Sequence, residues 1–217
     1  MTGSSDHHGR MNNTDPRPSF AKSLELAGAT INAVKPDQLN NSTPCGNYNV
    51  RELLGHLLSG LDRAGAVGRN ENPFGGPETI EAANGDWIAA WEEMATQTIA
   101  AWVDPATLTR PTALPWAAES GALALWSYVA EITVHTWDLA QATNQNPAWD
   151  NDVVSESLAV MERILPAAGR TEMFASIRAT MPEDMRDGPA PYASAVPVDT
   201  NATLINRLVA HVGRDPR

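Results

Sequence analysis

Apolar residues in this chain recur in separate blocks at three- and four-residue spacing, with no convincing run of the two-residue alternation that marks a half-buried strand. Residues 19–34 put Phe20, Leu24, Ala27 and Ile31 on one helical face, and Lys35-Pro36 ends the block. Residues 37–48 are rich in Asn, Ser, Thr, Pro and Gly and read as a loop. A helix over about 49–68 follows. Asn49 and Glu52 have the spacing of a capping box, ahead of a face made by Val50, Leu53, Leu54, Leu57, Leu58 and Leu61. After a Pro/Gly loop at 70–77, Trp87, Trp91, Met94, Thr98 and Trp102 mark a helix over 86–102, an aromatic stripe suited to packing. Residues 107–119 are extended and Pro-rich, either a lid on the next helix or a surface connector. That helix, about 120–144, is apolar on more than one face. Further helices are predicted over 150–165, 170–180 and 201–212, with a Pro- and Gly-bearing loop at 182–197. The pattern predicts an all-α bundle, a disordered tail at 1–16 and a single helical domain at 17–217.

Chemistry enters with the helix over 120–144. Tyr128, Glu131, His135 and Asp138 lie three and four residues apart and form one polar stripe among Leu123, Trp126, Val129, Val134, Trp137 and Ala140. A carboxylate and an imidazole one turn apart on so apolar a helix are costly to bury without a partner. A divalent cation is one such partner, because Glu-x-x-x-His offers an oxygen and a nitrogen to a common point. A buried Glu–His ion pair or a solvated stripe is the other reading. His56 borders the leucine face of its own helix, one turn before Gly60, and is either a core imidazole or a third ligand. Bundles build metal sites from inward side chains on neighbouring helices, and three protein ligands leave positions open for water or substrate. Zinc, iron, nickel and manganese all accept such a set. His211, close to a helix C-terminus, is expected at the surface.

Composition narrows the partners. Fifteen Lys and Arg against 26 Asp and Glu give a net charge of −11, which argues against nucleic acid or an anionic membrane. No run approaches the roughly 18 apolar residues of a membrane span, and the polar N-terminus lacks a signal-peptide core. A single cysteine, Cys45, excludes an intramolecular disulfide and fits a reducing compartment, so the expected location is the cytoplasm. Cys45 sits in a Pro-Cys-Gly turn before a helix and reads as a structural thiol.

Two stretches carry a resemblance. Ser42-Thr43-Pro44-Cys45-Gly46-Asn47-Tyr48-Asn49-Val50-Arg51-Glu52-Leu53-Leu54-Gly55-His56-Leu57 and Glu131-Ile132-Thr133-Val134-His135-Thr136-Trp137-Asp138-Leu139-Ala140 resemble the mycothiol-dependent maleylpyruvate isomerase-like proteins of the DinB/YfiT-like metalloprotein superfamily. The closing Asn206-Arg207-Leu208 and Gly213-Arg214-Asp215-Pro216 are similar to the C-terminal signature of one metal-binding branch. The resemblance implies a DinB-like four-helix bundle with additional C-terminal helices. It implies a divalent metal, usually zinc, held by His56, Glu131 and His135, with Tyr128 and Asp138 as supporting or pocket residues. It also implies a low-molecular-weight thiol such as mycothiol, used in S-transfer to, or isomerisation of, a small electrophile. A non-catalytic metal-binding or stress-associated bundle is the alternative, and the assembly is expected to be a monomer or homodimer. The resemblance assigns no catalytic residue beyond the ligands. The C-terminal part shows no second domain of the kind the isomerase carries, so that activity itself is not expected.

Overall fold

The computed structural model describes residues 15–46, 48–179 and 192–217. The tail expected over most of 1–16, and most of the loop at 182–197, lie outside the described residues. Among them the chain forms helices α1 (Arg17–Asn32), α2 (Val50–Arg69), α3 (Trp87–Ala101), α4 (Ala106–Thr109), α5 (Gly121–Thr143), α6 (Asn151–Ile164), α7 (Arg170–Ala179) and α8 (Leu204–His211). Its one extended pairing there is an isolated antiparallel bridge between Ser42 and Asn49.

Contacts join α1 to α3, α3 to α2, α2 to α5 and α5 back to α1, a closed ring of four helices. Phe20, Leu24, Leu54, Leu58, Trp91 and Leu125 lie in its core. The remaining side of α5 carries α6, and α8 packs on α6. Ala130, Val134 and Trp137 of α5 join Val154, Leu158, Met161, Leu208 and Val209 in a second core there. The fold is thus an all-α, DinB-like bundle with added C-terminal helices. No helix among the described residues is long and apolar enough to cross a membrane.

Local chemistry accounts for the ends and seams. Asn49 Oδ1 accepts the Glu52 backbone N–H at 3.0 Å, and Glu52 Oε2 accepts that of Asn49 at 2.8 Å, so the capping box is closed. The α3 stripe packs as its spacing suggests. Trp91 Nε1 donates to the Leu24 carbonyl, Trp102 Nε1 to the Ala64 carbonyl and the Thr98 hydroxyl to the Leu61 carbonyl, tying α3 to both α1 and α2. These bonds satisfy the polar edges of side chains whose bulk is buried.

Long-range contacts add to the reading. The Pro-rich segment, expected as either a lid on the metal side of α5 or a surface connector, is tied down at both ends: Arg110 donates to the carbonyls of Val67 and Gly68 at the end of α2, Trp116 Nε1 donates to Ser127 Oγ of α5, and Leu114 and Ala117 are buried. His211 is half-buried rather than a surface residue, its Nε2 lying 3.2 and 3.0 Å from the carbonyls of Met161 and Leu165. The end of α6 captures it, a tertiary contact invisible to helix periodicity.

Because the capping box sets where α2 begins, Asn49→Ala is expected to lower the unfolding free energy by about 1 kcal/mol. Chemical denaturation of the variant beside the wild type measures that difference.

Candidate functional site

Helices α2 and α5 pass each other antiparallel, so His56 meets His135 and, one turn further along α2, Gly60 meets Glu131. The imidazole centroids are 4.9 Å apart and the rings nearly perpendicular, at 88°. One ligand-type atom from each of His56, Glu131 and His135 lies within 4.8 Å of the others. Gly60 makes room for this. A Cβ there would already lie 3.4 Å from Glu131 Oε1, so a longer side chain would fill the space before the carboxylate.

Both rings are anchored from behind. His56 Nδ1 lies 3.3 Å from the Glu78 carbonyl, an acceptor, so in the neutral ring the proton sits on Nδ1 and the lone pair on Nε2. Residues 77–80 reach that position because Ser59 Oγ donates to the Pro77 carbonyl at 2.6 Å and Ile80 N donates to the Gly55 carbonyl at 3.0 Å. Tyr48 closes another side, its ring centroid 5.2 Å from that of His56. His135 Nδ1 faces Asp138 Oδ2 at 3.1 Å, an arrangement that fixes the ring and leaves Nε2 to the cluster.

Asp138 is fully buried and is held in turn by Arg214, whose Nε and Nη2 donate to Oδ1 and Oδ2 at 3.2 and 3.1 Å. The guanidinium carbon stands 5.9 Å from the centre of the Tyr192 ring. A tight turn brings Arg214 there. Gly213 has φ of +88°, and a Cβ on it would lie 2.7 Å from the Ala193 carbonyl oxygen, so only glycine fits. Arg170 steadies the turn by donating to the carbonyls of Ala193 and His211.

The electrostatics follow from this packing. Burial, and then the charge of His135, push the His56 imidazole down to about 3. Burial works against charge on His135 as well, but hydrogen bonds to Asp138 and Cys45 outweigh it and carry that ring up to about 10. The packing thus favours a proton on His135 and disfavours one on His56. Burial raises Glu131, with His135 and Arg63 pulling the other way. Burial and then Glu131 raise Tyr128, one turn earlier on α5. Asp138 sits below the usual carboxylate range because His135 and Arg214 overcome its burial. A carboxylate pushed toward protonation beside two anchored imidazoles is a donor set that fits a divalent cation.

The geometry also gathers residues that sequence spacing passes over. Cys45, half-buried, offers its sulfur within 4.8 Å of ligand-type atoms of both His135 and Asp138, so it borders the site. Arg63 stands seven residues after His56 on the same face of α2 and could have been found by extending that face. Tyr192 and Arg214 come from a loop and a turn far along the chain, where no periodicity points to α5. Two cavities lie elsewhere. One of about 400 Å³ is lined by Leu26, Thr133, Thr136, Trp149 and Val153, and one of about 310 Å³ by Val67, Asn70 and Thr112.

Residues 20–140, from α1 through most of α5, match the mycothiol maleylpyruvate isomerase N-terminal domain. The chain belongs to this family. The matched part contains His56, Glu131, His135 and Asp138 and stops well short of Arg214. Two uncharacterized proteins of Mycobacterium tuberculosis, one from each of two strains, are each 24% identical to it over 204 residues, spanning 94% of this chain and 100% of their own. No solved structure matches the chain.

Replacing Asp138 by Asn would leave Arg214 buried without its counter-charge, with an expected loss of about 3–5 kcal/mol at neutral pH. The Asp138 carboxyl is depressed in the folded protein, so its contribution is present above the ordinary carboxyl range. It fades as the pH falls through the lowered value. The stability gap between wild type and Asp138→Asn should therefore narrow in acid, which urea unfolding at pH 7 and near pH 3 measures.

Proposed function

We propose that this protein binds one divalent metal ion, most naturally zinc, and uses a low-molecular-weight thiol in S-transfer to, or isomerisation of, a small electrophile. The observation that carries the reading is the convergence of His56, Glu131 and His135 from two helices, with each imidazole fixed through Nδ1. Those three residues would hold the ion. The name of the family supports mycothiol as the thiol. Two nitrogens and an oxygen do not select among zinc, iron, nickel and manganese.

When bound, such an ion supplies Lewis acidity that makes a neighbouring thiol ionise near neutral pH. The protein's own groups do the rest. Asp138 keeps the His135 proton on Nδ1, and the Glu78 carbonyl does the same for His56. Tyr48 and residues 77–80 wall the His56 side and limit water there. To hold an ion, His135 would have to give up the proton on Nε2, so affinity would weaken as pH falls.

The second reading is a metal-binding bundle without catalysis, favoured by the depth at which His135 and Asp138 are buried in the packed interior. Wild type, purified and freed of any tag, should carry stoichiometric metal by elemental analysis. His56→Ala, Glu131→Gln and His135→Ala should each lose most of it. Turnover that needs both metal and thiol, across a panel of thiols and electrophiles, separates the two readings. Bound metal with no such turnover leaves the non-catalytic bundle. No bound metal, and no stabilisation by zinc, nickel, manganese or iron, returns Glu131 and His135 to an ion pair.

A further inference from the structure

The larger cavity, of about 400 Å³, opens between α1 and α6 and is lined by Leu26, Ala29, Thr133, Thr136, Trp149 and Val153. Thr133 stands two residues from both Glu131 and His135, which puts it on the opposite face of α5. The cavity and the histidine cluster therefore share a helix and no side chain. Its volume falls in the range of small-molecule sites, roughly 300–1,000 Å³.

The gap arises from short side chains beneath a braced connection. Residues 144–150 link α5 to α6. At the α5 end, Gln145 Nε2 donates to the Thr30 carbonyl at 3.0 Å and to the Thr143 hydroxyl at 2.9 Å. At the α6 end, Asp150 Oδ1 accepts the backbone N–H groups of Asp152 and Val153, and its Oδ2 accepts Lys22 Nζ at 2.7 Å. The connection is thus fastened to α1 at both ends, while Ala29, Thr133 and Thr136 are too short to fill the space.

The chemistry of the lining is one-sided. The hydroxyls of Ser23, Thr133 and Thr136 donate to the carbonyls of Phe20, Val129 and Ile132. A carbonyl only accepts, so each hydroxyl has committed its single proton and offers the cavity lone pairs alone. Lys22, the one cation of the lining, is engaged by Asp150. Glu25, at the rim, takes part in none of the ion pairs among the described residues. Leu26 and Val153 supply apolar surface, and the indole of Trp149 adds an aromatic face of the kind that attracts a cation. A complementary ligand brings donors and positive charge at one end and an apolar body at the other. The net charge of −11 favours the approach of such a molecule.

We infer that this cavity is a binding site for a small organic amine, an ammonium group on a short apolar body. The site needs nothing from the metal reading, and no bond change is assigned to it.

Isothermal titration of the metal-free full chain with hexylamine, hexanol and hexanoate, three head groups on one alkyl chain, tests it. Hexylamine should bind saturably at one site and more tightly than the other two. Ala29→Leu puts a good helix former at an exposed position and should remove that binding by filling the cavity. Glu25→Gln should weaken it about two- to fivefold, the scale of an exposed ion pair. Circular dichroism of both variants should match wild type. Absence of saturable hexylamine binding, unchanged binding by folded Ala29→Leu, or hexanol or hexanoate binding as tightly as hexylamine overturns the amine site. Because the chain is metal-free, an amine coordinating an ion cannot imitate the result, and the outcome holds whether or not the metal reading survives.

Discussion

The structure depends on one constraint: α5 is buried all round and yet carries ionisable groups. From Leu123 to Ala140 every residue except Glu131 is buried, and Glu131 is only partly exposed. A helix that is apolar on all sides must be covered on all sides. The ring of α1, α3 and α2 covers part of α5, and α6 with α8 covers the rest. The charges impose a second demand, since each buried ion needs an opposite or a hydrogen-bonding group within reach. Asp138 is answered by His135 and Arg214. Glu131 is turned toward the one seam where the neighbouring helix has a glycine and a histidine.

Much of this was legible in the chain because it is local. The capping box at Asn49 and Glu52, the extent of α5 and the aromatic stripe of α3 all follow from spacings of three and four residues. The polar stripe on α5 likewise exposed Glu131 and His135 as an unusual pair, and His56 stood out as the imidazole on a leucine face. What lay hidden depends on long-range approach. Gly213-Arg214 stood in the closing stretch that carries the resemblance, yet no periodicity there says that a glycine turn aims Arg214 at α5. Nothing near Glu78 says that its carbonyl will hold an imidazole 22 residues earlier. Cys45 looked like a packing thiol in a turn because the turn's neighbours, His135 and Asp138, belong to another helix. His211 looked exposed for the same reason.

The division of labour along the chain is informative. The part that matches the family supplies His56, Glu131, His135 and Asp138. The part beyond it supplies Arg214, Tyr192 and the second core that presses on α5. The clustered side chains thus come from one region, and the cation that holds Asp138 behind His135 from another. Changes in the C-terminal helices can adjust the charge and orientation of His135 while leaving His56, Glu131 and His135 themselves untouched.

The Asp138–Arg214 pair spans 76 residues of sequence, and that separation has a temporal meaning. Chains emerge from the ribosome at about 5–20 residues per second, so α5 is complete roughly 4–15 s before its guanidinium partner is even made. Throughout that interval the most deeply placed carboxylate of the helix has only His135, one turn back, as a partner. The four-helix ring can close early, but the nascent α5 must keep that face wet or shielded until α8 and the Gly213 turn arrive. Folding of this chain is therefore finished from its far end, and the orientation of His135 is among the last features to be set.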